Sequence, residues 1–362
     1  MASVNAELRD LLISHQIGLQ RLTNREVKDM LALLDRAERD IRAVLKARLQ
    51  LIASTGKDGG PLVTRRIEQL LAEIHAMRKV AILDLYAPLA DDLEEFALYE
   101  QGYLTRSLRS TIPSRIPFEP ALASTELLRS IVRSQPFQGK LLYDHFRALV
   151  KRNGLVARRM KELIEEGLAT GAPPVTITRR VSAQALGITR ANVQAIVQTS
   201  MSHVTNSMRD QFTQDNTDVI KATQWVGTLD SRLCSICLVR DGHTYDPVTH
   251  APLDGGPPWG DGPGRMHWND RCTPAPVLKS WEELGIDAKE LTGEQRASMD
   301  GFVDADTTAE QWVGRQSYER LSDMFGPRRA DLLTSGGLDI SDLVRTDGTL
   351  ITLEELRNSG VF

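Results

Sequence analysis

The spacing of apolar positions along the first third of the chain predicts long helices. From Val27 onward, large aliphatic residues recur every three to four positions, which is the spacing of the apolar stripe on an amphipathic helix. The members of this stripe are Val27, Leu31, Leu34, Ile41, Val44, Leu45 and Ile52. Thr23 and Glu26 have the spacing of a capping box, a hydroxyl followed three residues later by a carboxylate, so we expect the helix to begin there.

A second helical stripe follows a turn-forming cluster at residues 54–61. Its apolar face consists of Ile67, Leu70, Leu71, Ile74, Met77 and Ala81. We expect this helix to run on past Pro88, which should kink or end it because proline lacks the amide hydrogen that an interior helical position donates. The two stripes together predict a long N-terminal helical hairpin. The Pro-containing stretch at 111–117 is interpreted as a linker after it.

The pattern changes near residue 219. Residues 219–228 are rich in β-branched and aromatic side chains, and Gly, Pro and Asp are frequent at residues 241–263. We interpret this stretch as short strands and long loops that hold too few apolar residues to bury a core unaided. Helix-like segments precede it and follow it.

Composition and charge exclude little beyond a membrane protein. Of the 362 residues, 41% are apolar and 25% are charged, as in ordinary globular proteins. The net charge of −4 gives no global basic field, so any contact with DNA would need a local patch. The first residues lack a signal-peptide pattern, and charges interrupt every apolar stretch before the roughly 20 residues of a membrane span. We therefore expect a soluble product of cytosolic type with no membrane partner.

All three cysteines fall within residues 234–272. A secreted disulfide framework usually has an even number of cysteines, so an odd number in one cluster beside a histidine favours metal binding. Cys234 and Cys237 form a C-x2-C pair, and His267 and Cys272 form a second pair separated by four residues. Two such pairs joined by a long loop supply three sulfurs and one imidazole nitrogen, a set of soft donors that favours tetrahedral Zn²⁺.

Four protein ligands predict a closed structural zinc site that has no position for a catalytic water. Bound metal would stabilise a segment with little apolar core. The predicted fold class is therefore mainly α, with a small α+β zinc-stabilised domain and a long N-terminal helical hairpin. The residues alone leave three alternatives open: cysteines that bind nothing, a disulfide between Cys234 and Cys237, and His243 or His250 in place of His267.

The segment 225–274 resembles the Mu F-type family of phage minor head, or head morphogenesis, proteins. That family shows a tryptophan strand, an aspartate, a C-x2-C pair, a D-G pair, and a later H-P-x-C-R-C motif before a proline. The matching residues are Trp225, Asp230, Cys234, Cys237, Asp241, Gly242, His267, Arg271, Cys272 and Pro274. Trp268 replaces the family's proline and Asp270 replaces its first late cysteine, which leaves Cys272 as the only late thiolate.

The resemblance extends from about residue 126 to the C-terminus. Residues 325–329, 338–344 and 350–356 are similar to the family's C-terminal segment, and residues 198–200 lie where the family often has an R-T-E motif. The resemblance implies three regions: an N-terminal helical region at 1–115, a Mu F-like head morphogenesis domain with the zinc site at 116–276, and a small C-terminal helical region at 277–362.

A structural role follows from the same resemblance. It implies a minor capsid protein without enzymatic activity, which assembles in the host cytoplasm and ends in the virion, at the capsid interior or the portal vertex. Its expected partners are the portal protein and the major capsid or scaffolding proteins. Contact with phage DNA, packaged or during delivery, is a further expectation.

Two other functions fit parts of the sequence. His267, Asn269 and Asp270 resemble the metal loop of an HNH-like zinc-knuckle nuclease, although no second histidine follows at helical spacing and the zinc site already uses His267. A zinc-stabilised DNA-binding module would instead use a basic cluster within one helical stretch, with salt-dependent affinity. That cluster comprises Arg147, Lys151, Arg152, Arg158, Arg159 and Lys161. Trp259 and Trp268 either stack on a base or cover the small core of the zinc unit, and we favour the core.

Overall fold

The computed structural model describes residues 4–54, 61–112, 118–151, 153–183, 187–280, 282–284, 295–298, 301–304, 307–335, 338–345 and 348–358. Most of the predicted turn at 54–61 and of the predicted linker at 111–117 lies outside these residues. Within them the chain is mostly helical and contains a small antiparallel sheet of three strands, which confirms the mainly α fold with a small α+β part. None of the described helices combines the length and the apolar character that crossing a membrane requires.

The elements of the first part of the chain are helical. They are α1 (Val4–Ser54), α2 (Pro61–Leu83), α3 (Tyr86–Thr111), α4 (Thr125–Ser134), α5 (Leu142–Lys151), α6 (Asn153–Ala169), α7 (Pro174–Val181) and α8 (Gly187–Asp215).

Strands and short helices follow. They are β1 (Ile220–Val226), α9 (Ser235–Leu238), β2 (Thr244–Tyr245), β3 (Thr273–Leu278), β4 (Gln295–Ser298), β5 (Gly301–Asp304), α10 (Ala309–Val313), α11 (Tyr318–Phe325), α12 (Pro327–Thr334), α13 (Ile340–Leu343) and α14 (Leu353–Asn358).

These elements pack into two compact units, each assembled from separate stretches of the chain. Unit 1 comprises Met1–Gln20, Phe96–Leu128 and Ser202–Phe362, and unit 2 comprises Arg21–Glu95 and Arg129–Met201. The three-region division implied by the family resemblance stays a prediction.

Unit 2 is a bundle of helices, and part of it packs around an apolar core that the structure describes. The two helices of the expected hairpin, α1 and α2, contribute to this core together with α6 and α7. Its buried members are Ile41, Leu45, Leu49, Ile52, Ile67, Leu70, Ile74, Val156, Met160, Leu163, Ile164, Ile177 and Val181. An exposed ion pair between Arg48 and Glu73, 3.1 Å apart, also joins α1 to α2.

Helix α1 begins about twenty residues before the predicted start. Thr23 and Glu26 lie inside a continuous helix that starts at Val4, so the capping-box interpretation is wrong. Leu8 and Leu12 are fully buried one helical turn apart and extend the apolar stripe upstream. Burial of that face outweighs the local preference of a hydroxyl residue for a cap, because most helical stability in proteins comes from packing.

The second helix ends before Pro88, contrary to the prediction. Helix α2 stops at Leu83, and α3 begins at Tyr86 after a short turn. Pro88 therefore lies in the first turn of a new helix, where its missing amide hydrogen would have no helical acceptor in any case.

In unit 1 the three-stranded sheet has the order β2-β1-β3 and is antiparallel throughout. Its central strand β1 lies within the predicted strand region at 219–228, which confirms that prediction. Pro274 and Pro276 of β3 are opposite Trp225 and Thr223 of β1. Proline is tolerated there because β3 is an edge strand, whose outward amides have no ladder partner to lose.

The segment 225–272, which carries the predicted metal ligands, and the C-terminal helices of unit 1 contribute to the same apolar core. Its buried members include Trp225, Leu229, Leu233, Cys237, Leu238, Tyr245, Trp259, Cys272, Ala309, Trp312, Val313, Leu321, Phe325, Ala330, Ile340, Leu343, Val344 and Leu356. Asp241 of the D-G pair links the two parts, since its carboxylate accepts hydrogen bonds from the amides of Gly227 (2.6 Å) and Ala309 (2.7 Å). The short strands are therefore not left to bury a core alone.

Candidate metal centre

The C-x2-C pair lies at the start of the one-turn helix α9. Cys234 caps this helix, and its sulfur accepts a hydrogen bond from the backbone amide of Cys237 at 3.4 Å. A single helical turn brings residues i and i+3 to the same face, so the two sulfurs point to one place. Cys237 is buried, with 2% of its surface exposed, whereas Cys234 is partly exposed. All three cysteines are free thiols, so Cys234 and Cys237 form no disulfide.

His267 approaches this pair from the far end of the long loop. Its Nε2 lies 3.1 Å from Sγ of Cys234 and 3.7 Å from Sγ of Cys237. Its other ring nitrogen, Nδ1, lies 3.0 Å from the carbonyl oxygen of Trp268, which orients the ring. Metal-binding histidines usually donate the N–H of their non-ligating nitrogen to an acceptor of this kind.

Cys272 and Asp270 complete the cluster around Cys237. The potential ligand atoms of Cys234, Cys237 and His267 lie within 4.8 Å of one another, and so do those of Cys237, Asp270 and Cys272. Ligands of a tetrahedral zinc ion are roughly 3.5–3.8 Å apart, given the usual Zn–S and Zn–N bond lengths. The five side chains thus cluster within metal-binding distance, and three thiols with one imidazole fit a structural metal such as zinc.

The rival histidines lie elsewhere in unit 1. Nδ1 of His243 is 3.0 Å from a carboxylate oxygen of Asp254. Nε2 of His250 is 2.9 Å from Asp210, and its ring stacks on Trp259 at a centroid distance of 4.6 Å. Among the residues that the structure describes, His267 is the histidine grouped with the cysteines.

Hydrogen bonds and burial shift the pKa values of the four side chains in different directions. The adjacent Cys237 thiol, and after it the His267 imidazole, lower the pKa of the Cys234 thiol despite its burial. The same contact with Cys234 raises the pKa of His267 to about 9. Burial raises the pKa of Cys272 to about 11, and the neighbouring thiols of Cys234 and Cys272 raise that of Cys237. Metal ligands must be deprotonated, so a metal ion would displace the protons that the raised pKa values favour on His267, Cys237 and Cys272.

The segment between α9 and β3, residues 239–272, is called the ligand loop because it carries His267 and Cys272. Polar residues on one face of α8, which the sequence analysis did not single out, hold this loop in place. The Ser202 hydroxyl lies 3.0 Å from the carbonyl oxygen of Gly264 and 2.7 Å from that of Asp270. One turn later, Asn206 accepts a hydrogen bond from the Thr273 hydroxyl at 3.0 Å. The signal in the sequence was the recurrence of small polar residues one helical turn apart, at Ser202 and Asn206, beside the apolar positions of α8.

Gly264 is required where the loop passes over α8. Its φ of +72° lies in the left-handed region, and a Cβ there would come within 1.8 Å of the Asn206 amide nitrogen. Only glycine allows the backbone this close to the helix.

The two loop tryptophans have different environments. Trp259 is 6% exposed and packs edge-to-face on Trp225 at 5.6 Å, as expected for a residue that covers the core. Trp268, next to His267, is 41% exposed.

The residues of the nuclease alternative belong to the ligand loop. Nε2 of His267 faces the sulfurs of Cys234 and Cys237, and the carboxylate of Asp270 faces backbone amides. Asn269 occupies a left-handed turn with φ of +59°. His267 and Asp270 thus contact the cysteine sulfurs and the backbone of the loop itself.

The basic cluster of the DNA-binding alternative is divided between two helices of unit 2. Arg147 and Lys151 lie on α5, and the described members after residue 152 lie on α6. Arg147 pairs with Asp144, Arg159 with Glu162 and Lys161 with Glu165. These acidic neighbours reduce the positive potential that phosphate binding would need.

Comparison of the chain with known protein families, curated proteins and solved structures finds no match. The resemblance to the Mu F-type family therefore depends on the motif residues in the segment 225–274 and on the C-terminal segments.

Proposed function

We propose that this chain is a structural minor head protein of a tailed bacteriophage, of the Mu F type, in which Cys234, Cys237, His267 and Cys272 bind one Zn²⁺ ion. The observation that supports the proposal most is the convergence of two ligand pairs that are about thirty residues apart in the sequence. These pairs occupy the positions of the family motif.

A structural ion fits the burial of two of the four proposed ligands. Catalytic zinc sites keep one coordination position for water, whereas structural sites have four protein ligands. Cys237 and Cys272 are each only 2% exposed and belong to the apolar core of unit 1. When bound, the metal would cross-link α9 to the start of β3.

The proposed partners are the portal protein and the major capsid or scaffolding proteins, with phage DNA as a further contact. The protein would assemble in the host cytoplasm and remain in the virion, at the capsid interior or the portal vertex. The family resemblance supports these assignments.

Metal content and assembly test the proposal together. Protein purified without added metal should contain about one zinc per chain by mass spectrometry. Co-expression with the portal protein of the same phage genome should yield a complex in sedimentation, and a His267→Ala variant should be deficient in both. The control is His243→Asn, which alters a loop histidine outside the cluster. Zinc-free protein, or zinc-loaded protein that never associates with portal or capsid proteins, would contradict the corresponding half of the proposal.

Metal binding should release about three protons at neutral pH. The raised pKa values of Cys237, Cys272 and His267 mean that each retains a proton in the metal-free state, whereas Cys234 is already ionised. Metal ligands must be deprotonated, so affinity should rise with pH by about tenfold per proton released, or about a thousandfold per unit. Titration calorimetry in buffers of different ionisation enthalpy measures the number of protons released per metal ion bound. Release of fewer than one proton would mean that the buried thiols do not bind the ion.

A further inference from the structure

Asp270 is almost completely buried beside the cluster, with 2% of its surface exposed. Its Oδ1 accepts a hydrogen bond from the backbone amide of Cys272 at 3.0 Å, and its Oδ2 accepts one from the amide of Met266 at 3.1 Å. Met266 immediately precedes His267. One carboxylate therefore connects the backbone on both sides of the second ligand pair.

Further contacts place Asp270 at the centre of the turn between His267 and Cys272. Its own amide donates to the carbonyl oxygen of His267 at 3.2 Å, and its carbonyl oxygen lies 2.7 Å from the hydroxyl of Ser202 on α8. The side chain of Asp270 thus binds the backbone within the turn, and its main chain connects the same turn to α8.

We propose that Asp270 is the positioning residue of the metal site: it fixes the backbone that presents His267 and Cys272, and Cys272 is the fourth ligand. The inference rests on the proposed zinc site. Oδ1 of Asp270 is 3.6 Å from Sγ of Cys237, so the Asp270 carboxylate is near enough to be a rival to Cys272 as the fourth ligand. The softer thiolate of Cys272 is the better zinc donor, and the carboxylate already serves two backbone amides.

Hydrogen-bonded carboxylates outside the coordination sphere commonly tune metal sites, and their removal weakens metal binding by about 10- to 100-fold. An asparagine at position 270 would keep one acceptor oxygen but would present an amide group to the other backbone amide. The turn would then lose one of the two hydrogen bonds between the side chain at position 270 and the backbone, while every ligand of the proposed set would remain.

Cobalt titration of the full chain distinguishes positioning from ligation. Co²⁺ in a tetrahedral thiolate site has visible d–d bands and a near-ultraviolet charge-transfer band that grows with the number of thiolates. Asp270→Asn should show the wild-type band positions and intensity at saturation, with affinity reduced by about 10- to 100-fold. Cys272→Ser should lose about a third of the charge-transfer intensity, as expected when one of three thiolates is removed.

The matched control is Asp254→Asn. Asp254 also accepts two backbone amides, from Thr244 (2.9 Å) and Gly256 (3.1 Å), but it pairs with His243 and lies outside the metal-ligand groups. Its variant should bind cobalt with wild-type affinity.

Three results would overturn the inference. Shifted d–d bands in Asp270→Asn, with an unchanged Cys272→Ser spectrum, would make Asp270 the ligand. Unchanged affinity in Asp270→Asn would remove its positioning role. If wild type binds no cobalt, the proposed zinc site itself fails, and the inference with it. Should Asp270→Asn not fold, Asp270→Glu retains the carboxylate, and wild-type band positions are expected for it because the metal ligands are unchanged.

Discussion

Cys237→Ser should remove essentially all metal from the protein and unfold part of unit 1. Cys237 is the one side chain common to both groups of potential ligands, so its loss disrupts the site whichever residue is the fourth ligand. Stabilisation by a bound ion is about 4 kcal/mol when free metal is about a thousand times its dissociation constant, and the variant would forfeit it. Metal analysis and thermal unfolding with and without added zinc measure the two effects.

The damage should extend into the C-terminal helices. Cys237 packs in the same apolar core as Trp312, Phe325 and Leu343, so loosening the ligand segment exposes their shared core. Hydrogen exchange should therefore accelerate at residues 309–344 as well as at 234–272. His243→Asn serves as the control and should retain both metal and protection. A Cys237→Ser variant with full metal content and unchanged melting would refute the ligand assignment.

Glu100→Gln should destabilise unit 1 by about 3–5 kcal/mol, the usual cost of leaving a buried charge without its partner. Glu100 and Arg209 are at most 1% exposed, and Oε1 of Glu100 accepts a hydrogen bond from Arg209 Nε at 2.6 Å. The other carboxylate oxygen lies 2.7 Å from Nε2 of His15. Arg209 also donates to the Thr273 hydroxyl, next to Cys272, so the pair supports the strand that follows the ligand loop. Urea unfolding measures the loss.

The same pair predicts how stability depends on pH. Burial alone would raise the pKa of Glu100, but Arg209 and His15 lower it further than burial raises it, so the net shift is downward. A carboxyl whose pKa is lower in the folded state contributes stability that is complete above its unfolded pKa and is lost as the pH falls through the folded value. Wild type should therefore lose more stability than Glu100→Gln between neutral pH and the acid range.

Glu119→Gln is the matched control for both measurements. Glu119 pairs with Arg109 in unit 1 as well, but its side chain is 82% exposed, and solvent screens such pairs. This variant should have almost the same free energy of unfolding as wild type, and its stability should depend on pH in almost the same way. Equal acid sensitivity of wild type and Glu100→Gln would show that the buried pair contributes no pH-dependent stability.

Some features of this protein could be predicted from local sequence because their causes are local. The apolar stripe of α2 and the β-branched run of β1 reflect periodicities of 3.6 and 2 residues, which are visible without a fold. The proposed ligand set was also visible, because few residue types bind soft metals and the three cysteines of the chain fall within residues 234–272. Helix boundaries were less accessible: the start of α1 depends on burial of Leu8 and Leu12, which no local signal reports.

Tertiary structure decided everything that depends on residues distant in the sequence. The sequence favours His267 over His243 and His250 only through its position near Cys272, and the fold shows that His267 faces Cys234. In the sequence Asp270 stands where the family motif has a cysteine, and in the structure its carboxylate accepts hydrogen bonds from the backbone amides of Met266 and Cys272. The sequence determines which side chains are available for chemistry, whereas their selection depends on packing across tens of residues, which hydrophobic periodicity does not encode.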